Sequence, residues 1–152
     1  MNKRGLLKAL CSAAVGGTIL VNGESHRIIE VVKYKEDGDK WQNLVWEGEG
    51  GKEVALETDG QKLTLWKEID APEIGWPKLD EPFQYGGEEY RDVESGIAQT
   101  VSLTVKGKKY GTAMWRVCEA ASGHKISIEI WGKKQCVYYA DGELAIATIQ
   151  VS

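Results

Sequence analysis

The chain has 152 residues, with Lys+Arg 19 against Asp+Glu 23 and a net charge of -4; that length suits one domain able to bury about 68–70% of its unfolded surface. The weakly acidic balance argues against a dedicated nucleic-acid binder and supplies no polybasic membrane patch. Gly 18, Trp 6, Phe 1, Pro 3 and His 2 describe a turn-rich, tryptophan-rich, histidine-poor protein, which narrows acid–base and metal chemistry.

At the start, Leu6, Leu7 and Leu10 fall on one face of a short amphipathic helix. Lys3 and Arg4 resemble the basic front of a secretory signal, but Lys8 interrupts the apolar run that a signal needs, and Leu10 stands where a lipoprotein signal needs a small residue before Cys11. A cytoplasmic location is expected; an exported envelope domain is the alternative, resting on this segment alone. No stretch approaches the roughly 18 apolar residues of a membrane span. The cysteines, Cys11, Cys118 and Cys136, form no CxxC pair and suit a reducing compartment, though one bridge plus a free thiol is open.

Strands are predicted over about 18–22, 25–35, 40–47, 52–58, 62–68, 88–93, 98–106, 110–120, 124–131, 134–140 and 143–151. Val101–Val105 and Lys125–Trp131 alternate with period two, which sets one strand face on a core. Asn22-Gly23 is the strongest hairpin signal; Asp37-Gly38, Asp59-Gly60, Lys106-Gly107 and Asp141-Gly142 mark further turns. Pro72, Pro77 and Pro82 share one window with Trp76, Phe83 and Tyr85. That window, 70–87, reads as a fixed strap packed over an apolar surface.

The parts on either side of the strap, about 15–69 and 88–151, resemble each other. A shift of 72 positions carries Gly51, Glu57, Gly60 and Lys62 onto Gly123, Glu129, Gly132 and Lys134, and carries Val54, Leu56 and Leu65 onto Ile126, Ile128 and Val137. With a two-residue gap, Trp41 meets Trp115. The expected architecture is all-β: two related antiparallel meanders, each too small to bury its own face, packed as one barrel- or sandwich-like unit over residues 1–152.

Several segments together carry a family resemblance. They are the hairpin ending Gly38-Asp39-Lys40-Trp41, the run Tyr90-Arg91-Asp92-Val93-Glu94-Ser95-Gly96-Ile97-Ala98, and Ile126-Ser127-Ile128-Glu129-Ile130-Trp131-Gly132. The chain resembles, over about residues 15–151, the bacterial family called domain of unknown function 4178. The resemblance implies a β-rich module without an assigned activity, similar to domains kept in gene clusters with polyamine enzymes and membrane-stress proteins. One departure is that Gln42-Asn43 stands where the family often has an acidic-aromatic pair.

Of the chemical constellations, metal and phosphate sites have little support. His26 and His124 have no ligand at zinc spacing, and His124 reads as a solvated turn residue. Gly48-Glu49-Gly50-Gly51-Lys52 lacks the first glycine and the Ser/Thr of a phosphate loop and reads as a hairpin tip. Cys118 and Cys136 read as small buried hydrophobes. No cofactor is expected. Glu57 and Glu129 are pseudo-equivalent and read as solvated strand residues, or as a carboxylate pair suited to glycoside hydrolysis. Trp131 shares a polar strand face with Lys125, Ser127 and Glu129, so it marks a groove or packs under the strap. Beside acidic residues a tryptophan can cradle a cationic amine. The leading expectation is a non-enzymatic interaction module using Trp131, Glu129, Tyr90, Glu94 and Glu57, with a protein or a small cationic ligand as partner; the alternative is a hydrolase using Glu57 and Glu129.

Overall fold

Positive φ at Asn22 and Gly23 (51° and 82°) and at Asp37 and Gly38 (46° and 89°) makes two tight hairpins, the backbone signature of two-residue turns that match strand twist. The first joins β1 (Thr18–Val21) to β2 (Glu24–Arg27), and the second joins β3 (Glu30–Glu36) to β4 (Asp39–Glu47). The computed structural model describes residues 3–58, 62–71, 74, 81–104, 112–142 and 149–151. The remaining elements are α1 (Lys3–Cys11), β5 (Glu53–Thr58), β6 (Leu63–Glu68), β7 (Phe83–Tyr85), β8 (Glu88–Thr104), β9 (Thr112–Ala120), β10 (Lys125–Trp131), β11 (Lys134–Ala140) and β12 (Ile149–Val151). A short 3₁₀ turn, Glu49–Gly51, links β4 to β5. The fold is mostly β, as expected.

Two boundaries differ from expectation for identifiable reasons. The strand expected over 25–35 is two strands, because the chain changes sheets at its middle. Ile28 N–H donates to Gly17 O at 2.9 Å, whereas Ile29 N–H donates to Val45 O at 2.8 Å. The strands expected over 88–93 and 98–106 are one strand, β8, whose register with β9 shifts between Asp92 and Glu94. The strap also contains a strand, since Phe83–Tyr85 pairs with Glu88–Tyr90 through Gly86-Gly87. Trp76, Pro72, Pro77, the turns at Asp59-Gly60 and Lys106-Gly107, and most of the strand expected over 143–151 lie outside the described residues.

The smaller sheet has the order β12-β1-β2, and the larger has the order β3-β4-β5-β6-β11-β10-β9-β8-β7 with a further β3–β8 pairing. Two antiparallel meanders, β3 to β6 and β8 to β11, therefore join last strand to last and first to first. The β6–β11 junction has only two register pairs, Tyr138↔Glu68 and Tyr139↔Lys67. The sheet packs sandwich-like about an inner core rather than as an evenly closed barrel.

Both faces of the large sheet carry buried residues, though Val93, Ile97 and Met114 of β8 and β9 are exposed. The inner face holds Val32, Tyr34, Val45, Ala55, Trp66, Ala98, Ala113, Trp131, Cys136, Tyr138 and Ala140, with Trp41, Trp115 and Val117 against them. One outer face, with Val31, Leu44, Trp46 and Leu56, lies under Leu6, Leu7 and Leu10 of α1 and under Ile19 and Ile149 of the small sheet. A nine-residue helix is shorter than the ~12–15 residues an isolated helix needs. Its three leucines, each worth about 1.5–3 kcal/mol on full burial, are what hold it. The other outer face, with Cys118, Ile126, Ile128 and Val137, lies under Ala71 and Ile74, with Phe83 and Tyr85 packed against it. No helix among the described residues is long and apolar enough to cross a membrane.

Candidate functional site

Four strands of the first meander and three of the second aim side chains into one inner cavity of about 460 Å³, lined by Tyr34, Glu36, Asp39, Lys40, Trp41, Glu57, Trp66, Glu94, Ala98, Trp115, Ser127 and Glu129 among others. Alternation explains the β10 contribution. Ile126 and Ile128 are buried outward under the strap, so Ser127, Glu129 and Trp131 face inward. The polar face of β10 is thus a cavity wall. Glu57 and Glu129, expected in solvent, both line this cavity, because the solvent side inferred from their strands is enclosed by the opposite meander. Trp131 packs in the inner core, in a different cluster from Ala71 and Ile74 of the strap, and is only 6% exposed.

Each of three tryptophans donates its indole N–H to a glutamate. Trp66 Nε1 donates to Glu57 Oε1 at 3.4 Å, Trp131 Nε1 to Glu129 Oε1 at 3.1 Å, and Trp115 Nε1 to Glu36 Oε1 at 3.1 Å. These bonds orient the carboxylates; the Trp66 and Trp115 rings line the wall, and Trp131 packs in the inner core behind it. Tyr34 and Trp41, opposite each other across β3 and β4, stack at 5.3 Å. Trp41 meets Trp115 edge-on at 6.2 Å, and Tyr34 meets Trp131 at 6.1 Å. Burial, then the charges of Glu129, Glu57, Glu53 and Glu30, push the Tyr34 hydroxyl well above the ordinary tyrosine range. Burial acts likewise on Tyr138, beside Glu129 and Glu53; its hydroxyl donates to Glu53 Oε2 at 3.1 Å.

The β8 irregularity decides which members of the Tyr90–Ala98 run reach the cavity. Tyr90 faces outward, 1% exposed, stacked on Phe83 at 5.6 Å. Regular alternation would send Glu94 outward too. The register shift between Asp92 and Glu94 reverses the parity, as an extra residue in a strand does, and Glu94 and Ala98 line the cavity. Gly96, opposite Trp115, makes room for Glu36, because a Cβ there would run into the Glu36 carboxylate. Tyr90 therefore does not line this cavity, and the structure separates it from Glu94, with which it was grouped.

The Gln42-Asn43 pair divides between two faces. Gln42, buried on the outer side, donates Nε2 to Leu10 O at 2.7 Å and ties α1 to β4. Asn43 lies on the inner side between Trp41 and Val45, opposite Glu57. Nothing in the sequence singled out Glu36 or tied Trp41 and Trp115 to one site; their shared role emerges only when the meanders face each other.

A separate polar cluster lies outside the cavity. His124 Nδ1 is 2.7 Å from Glu88 Oε2 and its Nε2 is 3.9 Å from Asp141 Oδ1. Tyr90 OH donates to Glu88 at 3.3 Å, and Tyr139 OH donates to Asp141 at 3.0 Å. His124 is accordingly a partly buried tie between the β7–β8 hairpin and the β9–β10 turn, where a solvated turn residue was expected. Burial, with the Glu88 charge beside it, pushes the Tyr90 hydroxyl up to about 12. Among the described residues no three His, Cys, Asp or Glu side chains converge to hold a metal ion.

Fold and cavity define a β-rich module with an acidic and aromatic inner site that opens to solvent at Asp39, Lys40 and Glu94. The family model described as Domain of unknown function (DUF4178) matches residues 14–143, and the chain belongs to that family. The matched segment contains the whole cavity lining; α1 and β12 lie outside it. Neither the curated proteins nor the solved structures give a significant match.

Proposed function

We propose that the protein is a non-enzymatic binding module whose inner cavity takes a small organic cation. The observation that carries this reading is the pairing of tryptophan with glutamate around one cavity, at Trp66–Glu57, Trp131–Glu129 and Trp115–Glu36. Glu94 and Asp39 add negative charge, and among the described residues Lys40 is the only cationic side chain in the lining. A cation gains from aromatic faces by about 0.5–2 kcal/mol, most when desolvated, and from fixed carboxylates beside it. Among the described residues the carboxylates are spread around the wall without three converging, which suits an extended amine better than a bare metal ion. A lysine side chain presented by a partner protein offers the same chemistry. The two meanders on either side of the cavity are read as related halves, supported by the 72-residue shift that carries Glu53–Thr58 onto Lys125–Ile130.

Titration calorimetry with spermidine tests the reading. Binding that weakens in Glu57→Gln and Glu129→Gln supports it; no heat at millimolar spermidine removes it. A carboxylate-dependent glycoside hydrolase is the second reading, favoured by Glu57 and Glu129 lining the same cavity. Turnover of chromogenic glycosides that disappears in Glu129→Gln decides for it.

A further inference from the structure

β8 is long, and one of its edges is open for part of its length. From Tyr90 to Gln99 it pairs with β9. On the other edge it pairs with β7 as far as Tyr90 and with β3 only from Gln99 onward. Between Arg91 and Ala98 that edge has no strand partner among the described residues. Unpaired N–H and C=O groups on an edge are a template for another strand. The register shift takes up Val93, and pairing with β9 is regular from Glu94 to Ala98. This stretch borders the cavity mouth. Glu94 is exposed and lines the cavity, and the Glu36 carboxylate fills the space that a Cβ at Gly96 would take. Positions 94, 96 and 98 face inward. Ile97 faces outward beside Met114, its partner on β9, and the two are 61% and 42% exposed.

We infer that this edge takes an extended segment of a partner protein as an added strand, with a lysine of that segment turned into the cavity. The inference rests on the cation-binding reading and names its partner, since the cation is then a lysine side chain and not a free amine. Strand addition draws affinity from main-chain hydrogen bonds and specificity from alternate side chains. The added residue opposite Glu94 faces inward, its Cβ about 4.5–5.5 Å from that of Glu94. Glu94, Glu36 and Asp39 all line the cavity near it, so a lysine there is matched in charge. The added residue opposite Ile97 faces outward, and an apolar side chain there covers Ile97 and Met114. An inward charge and a bulge are devices that blunt a free edge; here they blunt it selectively. Glu94 repels an acidic strand and leaves an apolar one facing a carboxylate, but it pairs with a lysine. A second copy of the chain is disfavoured for the same reason. Edge-to-edge pairing would join two mouths that each carry Glu36, Asp39 and Glu94.

The test is titration calorimetry of the full chain with a capped peptide of roughly seven residues, valine alternating with serine and a lysine replacing the central serine. It is expected to bind, and the same peptide with methionine for lysine to bind at least roughly tenfold more weakly. Glu94→Gln should narrow that ratio to a few-fold. Two further peptides carry backbone N-methyl groups, one on the valines and the other on the lysine and serines. An added strand turns only one of these sets of N–H groups toward β8, so just one peptide should lose binding. Loss in both, or in neither, overturns strand addition. Equal binding of the lysine and methionine peptides overturns the assignment of lysine. No heat from the lysine peptide at millimolar concentration overturns the whole inference. Spermidine titrated in parallel then separates the two readings: its binding leaves the cation site standing, and its failure to bind removes that as well. Dimerisation of the chain that the peptide does not displace gives the edge to a second copy and likewise overturns the inference. Should Glu94→Gln not fold, the peptide series on the wild-type chain still decides.

Discussion

Glu129 accepts the indole N–H of Trp131, two residues further along β10, at 3.1 Å. Both side chains leave the same face of one strand, so the bond lets a core ring hold a carboxylate that lines the cavity. Trp131→Phe keeps most of the apolar contact but leaves Glu129 without that donor. A destabilisation of about 1–3 kcal/mol is expected from the lost bond and desolvated acceptor, measured by urea unfolding. Glu129→Gln is nearly isosteric and should change stability less while weakening spermidine binding by roughly tenfold or more. A charge pair at ~4 Å is worth about 1 kcal/mol in water and about 4 kcal/mol at an effective dielectric of 20. Unchanged affinity in Glu129→Gln places the ligand elsewhere.

Gly96 is needed for room, not for unusual backbone. A Cβ at this position would run into the Glu36 carboxylate, which accepts the Trp115 indole N–H. Gly96→Ala is therefore expected to push Glu36 off Trp115 and alter the cavity mouth. The expected loss is about 1–3 kcal/mol of stability, as for overpacking of a filled site, with a changed tryptophan emission spectrum. A variant of wild-type stability and emission would mean that Glu36 moves aside freely.

The three cysteines differ in reach. Cys11 is exposed, while Cys118 and Cys136 are buried. Burial, with Asp92 nearby, pushes the Cys118 thiol up to about 12, so at pH 8 it holds almost no thiolate, the reactive form. Ellman's reagent should label one thiol in the native protein and three in denaturant. Rapid native labelling of a second thiol would show that the β9 or β11 core opens readily.

Much of the fold was legible because turns and alternation are local. Asn22-Gly23 and Asp37-Gly38 encode their hairpins directly, and β10 and β11 read off their alternation. What stayed hidden depends on distant strands. Ser127, Glu129 and Trp131 spell a solvent-facing strand face, and only the opposing meander turns that face into an enclosed wall. The parity change near Val93 has no composition signal, so nothing in the run from Tyr90 to Ala98 shows that the register shift separates Tyr90 from Glu94. Glu57 and Glu129 were legible as a pair through the 72-residue shift, but their tryptophan partners were not, because Trp66 and Trp131 sit at positions that the shift does not match to each other.

The Glu88 cluster gives a prediction in pH. Hydrogen bonds from Ser122 and then His124 hold the Glu88 carboxyl below the ordinary glutamate range. A carboxylate whose folded pKa lies below its unfolded value stabilises the fold above the unfolded pKa, and that contribution is lost as pH falls through the folded pKa. The loss therefore falls on the acid side of the usual glutamate titration, and at this surface position its size is small. The titration itself is the sharper readout. By carbon-detected NMR the Glu88 side-chain carboxyl should show a midpoint below that of an ordinary glutamate. Ser122→Ala should raise it, His124→Ala should raise it by a lesser amount, and the double variant should return it close to the ordinary value. A wild-type midpoint already at the ordinary value would mean that the 2.7 Å contact between His124 and Glu88 does not persist in solution and that the β7–β8 hairpin is held by Phe83 and Tyr90 alone.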